Sequence, residues 1–202
     1  MTRAGWALVA TALIACKGGD DSDGNNNNGA DPNVDLTEGL ARNEGCETVT
    51  GSGGEELPAA GATRYYVGSF DVKDDNVSGY EYLVLLWTEL WKEQNPEAVD
   101  CKIAMSGTGG DKVDPIACGS CEFAISLTVE ADAGLSDCDA DFTDYMRTQG
   151  DYGTQDLFYN VFDAGGGEAH LFFESGSEFT NGGALQGDKL TYVTESTCVY
   201  SF

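Results

Sequence analysis

From Glu122 to Glu130 two kinds of residue alternate without a break: Phe123, Ile125, Leu127 and Val129 take one parity, and Ala124, Ser126, Thr128 and Glu130 take the other. Successive side chains point to opposite faces only in an extended chain, so a strict period of two predicts a strand with one face on a core. A strand needs partners for its backbone groups and a second apolar surface for its buried face, which makes neighbouring strands the first thing to look for. Cys101, Ile103 and Met105 alternate with Lys102, Ala104 and Ser106 until Gly107-Thr108-Gly109-Gly110-Asp111 interrupts them. The two runs are predicted to form a hairpin with a long loop.

Further runs rich in β-branched and aromatic residues lie at Tyr65 to Val72, Leu157 to Phe162, Ala169 to Glu174 and Leu190 to Phe202. Turn chemistry separates them at Ala164-Gly165-Gly166-Gly167 and Asn181-Gly182-Gly183. One stretch fits two patterns. Leu83, Leu86, Trp87, Leu90 and Trp91 fall at helical spacing, yet Tyr80 to Thr88 also fits a buried strand that starts after Gly79. Strand is preferred, because the surrounding runs are strands and Asn95-Pro96 ends the region. Seven or eight strands at this spacing predict an all-β fold, an antiparallel β-sandwich, with a closed β-barrel as the alternative.

The first residues supply the compartment. Arg3 precedes an apolar run from Ala4 to Ala15, and Lys17 to Asp23 is polar and acidic, the order of a secretory signal peptide. The run falls short of the roughly 20 apolar residues that cross a bilayer. Leu13-Ile14-Ala15-Cys16 resembles the lipobox of bacterial lipoprotein precursors, with a large aliphatic residue three before the cysteine and a small one just before it. The resemblance implies a signal peptide over 1–15, with Cys16 as the lipid attachment point and first mature residue. The alternative is an ordinary cut within Ala10-Thr11-Ala12 that leaves Cys16 a stray thiol. Two or three acyl chains hold a protein stably at a membrane where one holds it marginally.

Behind the anchor, residues 16–45 are rich in Gly, Asp and Asn and nearly free of aliphatic residues, so they cannot offset the entropy of ordering. They read as a tether with a reach of roughly 30 Å. Asp21-x-Asp23-Gly24 is a fragment of a calcium loop only, since Gly19 and Ala30 stand where an EF-hand needs oxygen ligands. A single domain is expected over 46–202. Acidic residues outnumber basic ones by 35 to 10, and losing Arg3 takes the net charge from −25 to about −26. Such a surface disfavours nucleic acid and anionic lipid head groups, so contact with a membrane is expected through the lipid at Cys16.

Of the seven cysteines, setting Cys16 aside leaves six, an even number in an exported chain and so up to three disulfides. Six thiols allow 15 connectivities. If the 101–106 and 123–130 strands form a hairpin, Cys101 lies near Cys138, which leaves Cys118 with Cys121 and Cys46 with Cys198. Cys118-Gly119-Ser120-Cys121 also has the spacing of a redox pair, but that chemistry needs a helix N-terminus where an alternating strand follows instead. Zinc held by Cys101, Cys118, Cys121 and Cys138 is disfavoured by the oxidising compartment.

Asp100 to Thr108, then Cys118 to Ile125, then Cys138 make up a strand opening on cysteine and ending in Gly-Thr, a C-x-x-C, an alternating strand and a fourth cysteine. With Tyr66-x-Gly68 and Ser78-Gly79-Tyr80-Glu81 upstream, this is similar to uncharacterised surface lipoproteins of myxobacteria and related deltaproteobacteria, with Met105 in place of their usual aromatic. The resemblance implies fold and location and carries no activity.

Three features invite chemistry. Asp137, Asp139, Asp141 and Asp144 offer alternate carboxylates of the kind that hold calcium, although Phe142 stands where an EF-hand requires glycine. His170, the only histidine, could act as a general base, yet none of the usual catalytic motifs accompanies it. Tyr65, Tyr66, Tyr80, Tyr82, Trp87, Trp91, Tyr159, Tyr192 and Tyr200 could present a face to a glycan or protein partner, but they also suit a core. The expectation is a non-enzymatic, lipid-anchored binding or structural module of the bacterial cell envelope. An envelope hydrolase using carboxylates or His170 is the alternative. Lys17 follows the cysteine, and Asp20-Asp21-Ser22-Asp23 is similar to tethers of surface-exposed lipoproteins, so the outer membrane is expected, with its side left open.

Overall fold

A computed structural model describes residues 39–148 and 154–200. The expected signal peptide, Cys16 and the expected tether up to residue 38 lie outside the described residues. The last part of the expected tether is docked: Leu40 packs on the outer face of the sheet, Tyr65 Oη donates to the Ala41 carbonyl at 2.6 Å, and Asn43 N donates to Thr63 Oγ1 at 2.9 Å. A 3-10 turn at Glu44–Cys46 and a small hairpin, β1 (Thr48–Thr50) with β2 (Glu56–Pro58), lead into the main sheet.

The long strands follow in order. They are β3 (Ala62–Lys73), β4 (Asn76–Trp87), β5 (Cys101–Val113), β6 (Phe123–Asp132), β7 (Thr154–Gly165), β8 (Glu168–Phe173), β9 (Glu178–Gln186) and β10 (Lys189–Val193), with short β11 (Thr197–Val199) at the end. Each pairs antiparallel with the next through β10, and β10 returns to pair with β3. Residues 67–71 of β3 meet β10, and residues 62–64 meet β11. Every strand from β3 to β10 thus has hydrogen-bonded neighbours on both sides. The class is the antiparallel all-β one, and within it the strands close on themselves and leave no free edge on the long strands, which removes a template for aggregation.

Local chemistry sets the turns. Gly166 and Gly167, at φ 70° and 91°, make the two-residue link between β7 and β8, and Asp74 at φ 53° opens the link between β3 and β4. Helix α1 (Glu89–Gln94) starts where β4 ends because Thr88 Oγ1 accepts from Trp91 N at 3.3 Å. The same hydroxyl accepts from Gly61 N at 3.0 Å and donates to the Ala59 carbonyl at 2.8 Å, in a site only 1% exposed. Replacing Thr88 by valine keeps the shape and loses all three bonds, so urea unfolding is expected to show a loss of about 2 kcal/mol, and a loss within experimental error would contradict this role.

Inside the ring the four residues of the Phe123 parity join Phe70, Leu83, Leu85, Ile103, Met105, Leu171 and Leu190 in one core. One end is closed by stacked rings. Trp91 of α1 lies flat on Trp87 at 5.0 Å, and Phe142 of α2 (Ala140–Thr148) meets Trp87 edge-on at 5.5 Å. Three disulfides join Cys46 to Cys198, Cys101 to Cys138 and Cys118 to Cys121. Antiparallel register brings the start of β5 beside the segment after β6, which is why Cys101 meets Cys138.

Two expectations are corrected. Gly107 to Asp111 does not form the hairpin loop: β5 runs on to Val113 with a register shift between Ser106 and Asp111, and the connection to β6 is 114–122. Asn181-Gly182-Gly183 is no turn but lies inside β9, where the pairing with β8 shifts between Ala169 and Leu171, as at a β-bulge. The stretch read as a strand from Tyr80 to Thr88 is one, within β4, and of the residues at helical spacing only Leu90 and Trp91 lie on a helix, the short α1.

Candidate active or binding site

The inward parity of β4 reads Val77, Gly79, Glu81, Leu83, Leu85, Trp87. Glu81 is therefore a carboxyl in the core, 3% exposed, among residues that are otherwise apolar or glycine. Two phenols converge on its Oε2. Tyr159 of β7 donates at 2.9 Å and Tyr192 of β10 donates through a short bond. Burial pushes the Glu81 carboxyl up from its ordinary value, with the Tyr192 and Tyr159 hydrogen bonds opposing the rise. Burial, together with the Glu81 charge, holds both phenols well above their usual range, so they remain donors.

The backbone makes room for this cluster. Gly68 pairs with Glu81 on one side and with Tyr192 on the other, and a Cβ at Gly68 would lie 2.1 Å from Cε1 of the Tyr192 ring. Only glycine lets that ring lie across β3 to reach Glu81.

Above the carboxyl, antiparallel order brings the first half of β3, the start of β7, the end of β8 and the start of β9 to one end of the sheet. Tyr66, Tyr159, Phe173 and Phe179 wall a cavity of about 410 Å³ there, with Glu81 in its lining and Gln155, Asp156, Glu174 and Ser175 around it. Phe179 stacks on Tyr159 at 4.6 Å and 15°, but meets Phe173 at 69° and Tyr66 at 48°. A second cavity of about 400 Å³ shares Tyr66 and Phe179 and is lined further by Arg64, Glu178, Thr194 and Glu195. Arg64 lies over the Tyr66 ring, 5.2 Å from its centroid, and its Nε donates to Thr197 Oγ1 at 3.1 Å.

Of the residues singled out from the sequence, Tyr66, Tyr159 and Tyr192 meet at this site, whereas the cysteines, the aspartate cluster and His170 fall elsewhere. The six cysteines are consumed in disulfides, so the zinc set of Cys101, Cys118, Cys121 and Cys138 has no free thiolate, and the Cys118–Cys121 bond sits in a loop and not at a helix N-terminus. The four aspartates have separate work. Asp137 accepts from Lys102 N, Asp139 Oδ1 accepts from Asp141 N and Phe142 N and so caps α2, and Asp141 and Asp144 lie on that helix. Among the described residues no group of three or more His, Cys, Asp or Glu side chains could hold a metal ion. His170, on the outward parity of β8, lies 3.2 Å from Glu178 and 3.5 Å from Glu168 and edge-on to Phe162. Among the described residues no hydroxyl is bonded to it.

The aromatic set divides by parity. Tyr66, Trp87, Tyr159 and Tyr192 turn inward, while Tyr65, Tyr80 and Tyr82 form an outer cluster with Val67, Val84 and Leu40. Glu81 was open to detection, since it shares the parity of Leu83, Leu85 and Trp87 in a strand expected to be buried. Comparison of the chain with protein-family models, with curated proteins and with solved structures finds no match.

Proposed function

We propose that the chain is a lipid-anchored binding module of the bacterial cell envelope, exported by residues 1–15, held by acyl chains on Cys16, and binding a small molecule in the cavity above Glu81. The observation that carries the binding part is a carboxyl buried between two phenols beneath an aromatic wall. A core needs no such group, because burying a carboxyl is costly and an apolar side chain would fill the space. Convergent polar groups in an apolar cavity of a few hundred Å³ are the common form of a ligand site. The reading is of binding and not of hydrolysis, since His170 is engaged by two carboxylates and Glu81 by two phenols.

Two measurements test it. Intact mass of the membrane-extracted protein is expected to show a start at Cys16 carrying two or three acyl chains, and an unmodified mass or another start overturns the anchor. The neutral apolar dye N-phenyl-1-naphthylamine is expected to bind the wild type saturably, and Ser175→Trp, which fills the exposed side of the cavity, to weaken it about tenfold or more. Absence of saturable binding, or equal binding by the variant, overturns the site.

A further inference from the structure

We infer that this cavity receives its ligand through a compact organic cation, a substituted ammonium group held among Tyr66, Tyr159, Phe173 and Phe179 with the Glu81 carboxylate as counter-ion. The inference rests on the reading of the cavity as the binding site and specifies what enters it.

Two observations point the same way. The first is ring geometry: Phe179 meets Phe173 at 69° and Tyr66 at 48°, and Tyr159 meets Phe173 at 55°. Phe179 also stacks on Tyr159 at 4.6 Å and 15°, so the wall is a stacked pair with the Phe173 and Tyr66 rings turned out of its plane. A compact group meets more than one ring orientation there, where a pyranose asks for one flat platform. Ring faces carry negative potential and attract ammonium groups, which is how aromatic cages hold quaternary amines. The second is charge. The lining contains Glu81, Asp156 and Glu174 and, among the described residues, no basic side chain, in a chain of net charge −25 whose field concentrates cations.

The buried acid then has a use. With the cavity empty, burial favours the protonated carboxyl. An arriving ammonium favours the carboxylate, and the proton leaves to solvent, while the Tyr159 and Tyr192 hydroxyls go on donating to the oxygen that bears the charge. Gln155 and Ser175 on the exposed side leave space for whatever the ammonium is attached to.

The test displaces N-phenyl-1-naphthylamine from the full chain with choline and with its neutral carbon isostere, 3,3-dimethylbutan-1-ol, with glucose as a third competitor. Choline is expected to act at concentrations about tenfold lower than the isostere. In Glu81→Gln that preference is expected to shrink to about threefold or less. Phe173→Leu, at a ring already 42% exposed and therefore safe for folding, is expected to weaken choline more than the isostere. Equal displacement by choline and isostere, or displacement by glucose but not by choline, overturns the ammonium and leaves the cavity reading standing. Failure of the dye itself to bind overturns both.

Discussion

Replacing Cys46 and Cys198 together by alanine is expected to lower the unfolding free energy by about 5 kcal/mol, more than the loss of either other disulfide. The bond joins residues 152 apart, and closing a loop of that length removes roughly 17 cal/mol/K from the unfolded ensemble in the chain-entropy model. The same relation gives about 4 kcal/mol for Cys101–Cys138, at a separation of 37, and about 1.5 kcal/mol for Cys118–Cys121, at a separation of 3. Structure adds to the first value. Cys46 is fully buried at the foot of the 3-10 turn, and Cys198 lies in β11, which pairs with only three residues of β3. Without the bond β11 has little else to hold it. Thermal unfolding is expected to show a midpoint lower by about 10–20 °C in the Cys46→Ala/Cys198→Ala variant. A smaller loss there than in Cys118→Ala/Cys121→Ala would show that loop length does not rank the three bonds.

The positions that misled sequence reasoning were glycines and aspartates, each a local signal reassigned by a distant partner. Gly107 and Gly110 suggested a loop because glycine favours turns. In the structure they lie within β5 facing β6, where a Cβ would come within 2.7 Å of the Thr128 carbonyl and 2.6 Å of the Ser126 carbonyl. Close approach of a neighbouring strand requires glycine as strictly as a turn does, and one sequence does not tell the two apart. Asp139 was one of four aspartates offered for calcium, yet its carboxylate caps α2, a role that its place before Ala140 to Thr148 allowed. Alternation, by contrast, is a local property, so the strand from Phe123 and its inward set were legible without any partner in view. The site falls between these cases. The parity of Glu81 was legible in Tyr80 to Trp87, but the phenols that meet it come 78 and 111 residues later, from strands whose register closes the ring.

Tyr192→Phe is expected to destabilise the protein by an amount that grows as pH rises above 4.5, from about 1 kcal/mol where Glu81 is protonated to about 3 kcal/mol where it is charged, because the lost hydrogen bond serves the carboxylate more than the acid. The sign follows from linkage. Burial raises the Glu81 carboxyl in the folded protein above its ordinary 4.5, so between the unfolded and folded values the native state binds the extra proton. Stability from this group is fully present below about 4.5 and is lost as pH rises through the folded value. The groups bonded to it are the phenols of Tyr159 and Tyr192, both held well above their usual range, while β3 and β5 present Gly68 and Met105 and the cavity lining adds the carboxyls of Asp156 and Glu174. Removing Tyr192 Oη takes away the first-ranked interaction that favours the charged form, so the folded value rises further and the loss extends to higher pH. General acidic repulsion also weakens an acidic chain as pH rises, so the comparison needs Glu81→Gln, which retains that repulsion and lacks the titration. Its stability is expected to gain on the wild type as pH rises through the folded value, as read by urea unfolding at about one-unit steps between pH 5 and pH 8. Parallel profiles for wild type, Tyr192→Phe and Glu81→Gln would mean that Glu81 does not change its charge in the folded protein over this range, and that the phenols hold it equally well in both forms.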